Sequence, residues 1–158
     1  ARRLVEAGVS CVTLGFNRWD WHSRNFPQAR EVFPQLDNGL TALVQDLHDS
    51  GLDQDVSVVV WGEFGRTPQL NKEGGRDHWP RVSCAALACG GMKHGQVIGA
   101  TNPRAEFPIE RPLSPNDLWA TVYQHLGIDP NDTFDDFQGR PMPILSFGEP
   151  IKELLPLA

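Results

Sequence analysis

No apolar run in this 158-residue chain reaches the length of a membrane-spanning helix; the longest is the stretch at residues 56–61. Basic charge is scarce too: 14 Lys and Arg stand against 20 Asp and Glu, for a formal net charge of −6. With no Lys/Arg stripe to break that balance, the composition argues against a nucleic-acid surface. Cysteine is limited to Cys11, Cys84 and Cys89, and an odd count gives no disulfide framework. Cys11 and Cys84 lie in apolar, strand-like runs and Cys89 just precedes Gly90-Gly91, so all three are expected to be buried structural thiols. There is no internal repeat, low-complexity tract, second-domain linker or recognisable signal peptide. The chain opens on Ala1 in helix-like sequence, so it is expected to be part of a longer protein with its N-terminus upstream.

What is present is ordinary for one soluble domain: 40 % hydrophobic and 22 % charged residues. Helical and strand periods alternate, which predicts an α/β domain. A helix end at residues 1–7 is capped by Gly8, and a strand is expected over 9–15. Residues 16–33 read as a polar, aromatic loop. A second helix is expected from near Pro34, with Leu36, Leu40, Leu43, Val44 and Leu47 on one face and Gly51 as its stop. Residues 55–61 read as a strand apolar on both faces, which belongs in the interior of a helix-covered sheet. A long loop over 62–80 leads to a strand at 82–88, then to short hairpin-like or irregular segments with several turns over 92–112. Ser114 is a good N-cap for a third helix, with Pro115 in its first turn, Asp117 three residues after the cap and Gly127 at its end. A short closing segment is expected over 151–157.

Three polar clusters flank the predicted strands: Trp19-Asp20-Trp21-His22, Gly62-Glu63-Phe64-Gly65-Arg66-Thr67-Pro68, and Gly75-Arg76-Asp77-His78-Trp79-Pro80. In open α/β sheets ligands bind outside the carboxyl ends of strands, where these clusters are expected to meet. Asp20 and His22 stand two apart, so in extended backbone both side chains point the same way and can share one ion. Imidazole nitrogens suit zinc, while carboxylate oxygens also suit manganese or magnesium.

Each of these residues has a plainer reading. Asp20 can cap a loop and His22 can be a surface histidine. Glu63 can pair with Arg66 or Arg76, and His78 can bond to Asp77. Arg66 and Arg76 can grip the oxyanion of a phosphate or sulfate ester, or form ion pairs at the rim. Asn71 can bind substrate or hold a turn. Trp19, Trp21, Trp61 and Trp79 can line a pocket or simply pack.

Together, the Glu63-Phe64-Gly65-Arg66-Thr67-Pro68 and Gly75-Arg76-Asp77-His78-Trp79-Pro80 pieces resemble the bacterial family carrying domain of unknown function 1501 (DUF1501). Trp19-Asp20-Trp21-His22, Asn71, Asp117-Leu118, Leu126-Gly127-Ile128 and Gly139-Arg140-Pro141 fit the same pattern, so the resemblance covers nearly the whole chain. That family is similar to the alkaline phosphatase and sulfatase superfamily. The resemblance implies a three-layer sandwich with a largely parallel central sheet, of which residues 1–158 would be the C-terminal part of one domain. It also implies an exported or periplasmic protein that hydrolyses small anionic phosphate or sulfate esters, with a nucleophile upstream of Ala1. Asp20, His22, Glu63 and His78 would hold a divalent metal, zinc first and manganese or magnesium as alternatives. Arg66, Arg76 and Asn71 would contact substrate, and Asp77 would orient His78. Phe64 stands where the superfamily has a histidine, so a second metal site would lack a ligand. A non-catalytic binding or structural module that keeps the fold is the alternative reading.

Overall fold

The structure is a computed structural model and describes residues 1–155. Its frame is a long helix, α2 (Asn25–Asp49), with a short α1 (Arg2–Glu6) beside it. An Arg2–Asp46 ion pair ties the two together. Four two-stranded antiparallel sheets follow the long helix: β1 (Ser57–Val60) with β4 (Ala86–Cys89), β2 (Gly65–Arg66) with β3 (His78–Trp79), β5 (Ala100–Thr101) with β6 (Pro108–Glu110), and β7 (Thr133–Asp135) with β8 (Pro141–Pro143). A third helix, α3 (Pro115–His125), separates the last two sheets, and a 3-10 turn spans Lys152–Leu154. No helix among the described residues is long and apolar enough to cross a membrane.

This architecture corrects the expected fold. Among the described residues there is no three-layer sandwich around a largely parallel sheet, and the Val-rich strand is not interior. β1 pairs, among the described residues, only with β4, in register Ser57↔Cys89 to Val60↔Ala86, and all four of its residues are half-buried. The connection explains the direction. Parallel neighbours need a crossover, usually a helix, between them. Between β1 and β4 the chain instead forms the small β2–β3 ladder, and it returns antiparallel. The expected strand over residues 9–15 does not form; Leu14 in that stretch is 83 % exposed. Cys11 and Cys84 are likewise exposed, and only Cys89 is buried, as a small apolar group in β4.

Helix α2 begins well before Pro34, which lies inside it. Pro27, in the first turn, gives up a donor that would be unsatisfied in any case. Pro34 removes an interior hydrogen bond, and tertiary packing of the preceding turns offsets the loss. Ala29 and Val32 are buried against Trp21, with Phe16 and Trp19 packed on the same cluster. The backbone N–H groups of Arg24 and Asn25 donate to Glu73 and Gly74 carbonyls, anchoring the helix start to the loop after β2.

Helix α3 starts as its sequence indicates. Ser114 and Asp117 form a reciprocal capping box, a feature of about 1 kcal/mol in general. Asp117 Oδ1 also accepts from Glu149 N–H, and buried Thr121 accepts from Ile151 N–H, so the C-terminal segment docks on this helix. Ile151 and Leu154 then join Met92 in a second small core. The last part of the closing segment expected over 151–157 lies outside the described residues.

Candidate metal centre

Two chain segments build the site. In the first, residues 19–22 alternate in burial: Trp19 and Trp21 face inward, Asp20 and His22 outward. The inward pair is fixed by aromatic packing. Trp19 stacks on Trp21 at 5.2 Å between centroids and on Phe33 of α2 at 5.5 Å. Large inward rings at every second position leave the intervening polar side chains to project together.

The second segment is the β2–β3 ladder, where Arg66 pairs with His78 and Gly65 with Trp79. Directly opposed residues of an antiparallel pair share a face, so Arg66 and His78 point toward the same space. Trp79 is directed elsewhere, its indole N–H donating to Glu106 O at 2.8 Å.

The two segments meet at one carboxylate oxygen. Asp20 Oδ1 lies 2.8 Å from His78 Nε2, 2.9 Å from His22 Nε2 and 2.7 Å from Arg66 Nη2. One ligand atom each from Asp20, His22 and His78 falls within a 4.8 Å span, the geometry of a cluster able to hold one ion. The two imidazole rings stand 5.0 Å apart, and Phe64 packs against His78 at 4.4 Å. All three candidate ligands are exposed.

The other expected site residues take different places. Glu63 lies in the exposed bend between β1 and β2. It is outside the three-residue cluster, and its carboxylate makes no hydrogen bond or ion pair among the described residues. Arg66 is at the site, but its ion pair is with Asp20 rather than Glu63. Arg76 is turned into the loop, where its guanidinium donates to the carbonyls of Thr67 and Pro68 at 2.5 and 2.6 Å. Asp77 orients a histidine, but the wrong one for the sequence-based expectation: Asp77 Oδ1 is 2.7 Å from His22 Nδ1. Neighbouring residues in extended backbone point apart, which keeps Asp77 off His78. Asn71 bridges this pair, donating to Asp77 Oδ1 at 3.1 Å and to His22 O at 2.9 Å.

The electrostatics follow from these contacts. The His78 hydrogen bond, then the Arg66 guanidinium, hold the Asp20 carboxyl far below its ordinary 3.8. His22 and then Asn71 lower Asp77, and Asp77 in turn raises His22 above its ordinary 6.5. A raised histidine stabilises the fold fully below 6.5, and that contribution is lost as pH climbs through the raised value. Lowered carboxyls contribute above 3.8 and lose it as pH falls through their lowered values. Metal-free protein, kept in chelator, is therefore expected to melt highest between those two ordinary values and lower on both sides. The effect is modest because the groups are solvated. A midpoint that keeps rising above the histidine range would show that this network is not formed.

Chemically, two neutral imidazole nitrogens and a carboxylate oxygen are a borderline donor set, three ligands with further coordination positions left open. The Asp77–His22 contact is the kind of carboxylate–histidine pair that orients metal-binding imidazoles. A family model described as "Protein of unknown function (DUF1501)" matches residues 1–155. No curated protein and no solved structure matches the chain.

Proposed function

The chain belongs to the DUF1501 family, and from that premise we propose that it binds one divalent metal ion through Asp20, His22 and His78 and acts on small phosphate or sulfate esters. The single observation that carries the reading is the convergence of these three ligand atoms within 4.8 Å, from segments far apart in sequence. With two nitrogens in the set, zinc fits best, manganese next and magnesium least. A bound divalent ion would supply Lewis acidity toward an ester oxygen. The chain's own contribution is positional. Asp20 and the two histidines fix the ion's place at an open surface. Arg66, held by Asp20 and the Arg76 carbonyl, places its remaining guanidinium N–H groups beside the cluster, where an ester oxyanion would meet them.

A second reading is a metal-binding module without catalysis. Two observations favour it. Arg76 and Asn71 are committed to bonds within the loop, and Arg66 is itself engaged by Asp20 and by the Arg76 carbonyl. The Phe64 ring also packs directly against His78.

The test is calorimetric titration of chelator-treated protein with zinc and manganese, followed by assay of the loaded protein on aryl phosphate and aryl sulfate esters. Saturable binding at one ion per chain is expected. Turnover that disappears in Arg66→Ala supports the hydrolase. Binding with no turnover leaves the module reading, and no saturable binding sinks both.

A further inference from the structure

Asn71 was expected to touch substrate or to hold a turn, yet every hydrogen-bonding position of its side chain is used inside the site's frame. Its Oδ1 accepts from Glu73 N–H at 3.0 Å and Gly75 N–H at 2.9 Å. Its Nδ2 donates to His22 O at 2.9 Å and Asp77 Oδ1 at 3.1 Å. An asparagine amide offers two donor hydrogens and two acceptor lone pairs, so nothing remains for a ligand. The flipped amide would set its oxygen against two oxygens and its NH2 against two N–H groups, so the network itself fixes the orientation.

The backbone supports the same frame. Asn71 N–H donates to Gly75 O, and Arg76 N–H donates to Trp21 O, clasping the 71–77 turn onto the segment that carries Asp20 and His22. Ser23 and Gly74 form an isolated bridge beside it.

We infer that Asn71 is a positioning residue for the metal centre, aiming Asp77 at His22 so that the ring carries its proton on Nδ1 and offers Nε2 toward Asp20 and His78. The logic is one of donors and acceptors. Both ring nitrogens face a carboxylate, which can only accept. Asp20 Oδ1 is already taken by Arg66 Nη2 and approached by His78 Nε2, so the hydrogen of a neutral His22 goes to Nδ1, on the shorter 2.7 Å contact with Asp77. The free lone pair then sits on Nε2, 2.9 Å from Asp20 Oδ1. Besides the His22 ring itself, Asn71 Nδ2 is the donor on Asp77 Oδ1, and it holds the carboxylate in place as the ring is aimed. The same amide group grips the His22 carbonyl, so ring and carboxylate are referenced to one point. This inference rests on the metal-binding reading, since it concerns the presentation of His22.

The experiment uses Asn71→Asp and Asn71→Ala. The first keeps the acceptor for Glu73 and Gly75 N–H and removes both donated bonds; the second removes the bonds without adding charge. Zinc affinity is measured by calorimetry. The His22 tautomer is read by long-range proton–nitrogen NMR on metal-free protein, at a pH where the ring is neutral. Both variants are expected to lose about 10-fold in zinc affinity, the low end of the roughly 10–100-fold cost of removing an outer partner of a metal-binding histidine, because Asn71 acts through Asp77. His22 should lose its Nδ1–H preference. In an Asp77→Asn background the Asn71 change should add little, because both act through one ring. Weakened binding with the tautomer unchanged would reduce Asn71 to a structural turn residue and overturn the inference, as would unchanged affinity. If wild-type protein takes up no zinc, the metal reading fails, and the tautomer measurement still decides Asn71.

Discussion

Asp20→Asn is expected to abolish zinc binding, with a loss larger than the roughly 10–100-fold expected for an outer partner of a metal ligand. The reason lies in the crowding at one oxygen. Asp20 Oδ1 is within 2.9 Å of His22 Nε2, His78 Nε2 and Arg66 Nη2. It is the only acidic member of the three-residue cluster. Asparagine preserves the shape of the side chain and removes the negative charge that balances an ion. It also leaves the Arg66 guanidinium beside the cluster without its counter-charge, so approach of a cation becomes less favourable. The fold should survive, because Asp20 is exposed and exposed ion pairs contribute little to stability. A thermal midpoint near that of wild type, with calorimetric binding gone, is the expected pair of results. Zinc affinity retained within about tenfold would mean that the ion, if bound, is not held by Asp20.

Parts of this molecule were legible in its residues, and the boundaries of that legibility have physical causes. The alternation of Trp19, Asp20, Trp21 and His22 implied a shared direction for the two polar side chains, and their contact at 2.9 Å agrees. The Ser114–Asp117 cap was equally readable, since its chemistry is local. The valine run over Val58–Val60 marked a strand, yet composition carries no information on pairing direction. Direction depends on whether the connection contains a crossover helix, and here the connection is a loop with a two-residue ladder. Pro34 read as a helix start because local rules place proline there. The earlier start at Asn25 depends on Trp21 and on carbonyls at Glu73 and Gly74, distant in sequence.

The same distinction separates the expected site residues that converge from those that do not. Glu63 was expected to emerge from the end of a buried strand. It falls instead in a bend, past the last paired residue of β1, which turns it out of line with the cluster. Asp77 stands next to His78 in sequence, and adjacency suggested a bond between them. Its partner is His22, because the 71–77 turn folds over the tryptophan segment and brings that ring to 2.7 Å. Contacts between segments so far apart in the chain leave no periodic trace in the residues that make them.

That fold-over depends on one position without a side chain, and Gly75→Ala is expected to be the most damaging substitution in the loop. Gly75 is buried. A Cβ added there would lie 1.9 Å from the His22 carbonyl carbon, 2.1 Å from its oxygen and 2.3 Å from Ser23 N. These are backbone atoms, so no flexible side-chain end can move aside. The turn must lift off the 19–23 segment, and the Arg76 N–H to Trp21 O bond and the Asn71 bonds to Gly75 would be strained with it. The expected cost is at or above the upper end of the roughly 1–3 kcal/mol that overpacking usually imposes. Zinc affinity should fall in parallel, since the displaced turn carries Asp77 and leads into His78. Gly74→Ala is the proper comparison. Gly74 has φ +69° and nothing within 4 Å of the added Cβ, so its cost is the left-handed backbone penalty alone, roughly 1–2 kcal/mol. Thermal melts and zinc titrations of the two variants side by side should therefore separate, with Gly75→Ala lower in both. Equal melting of the two would mean that the turn does not lie against His22, and the three-residue cluster would lose the contact that assembles it.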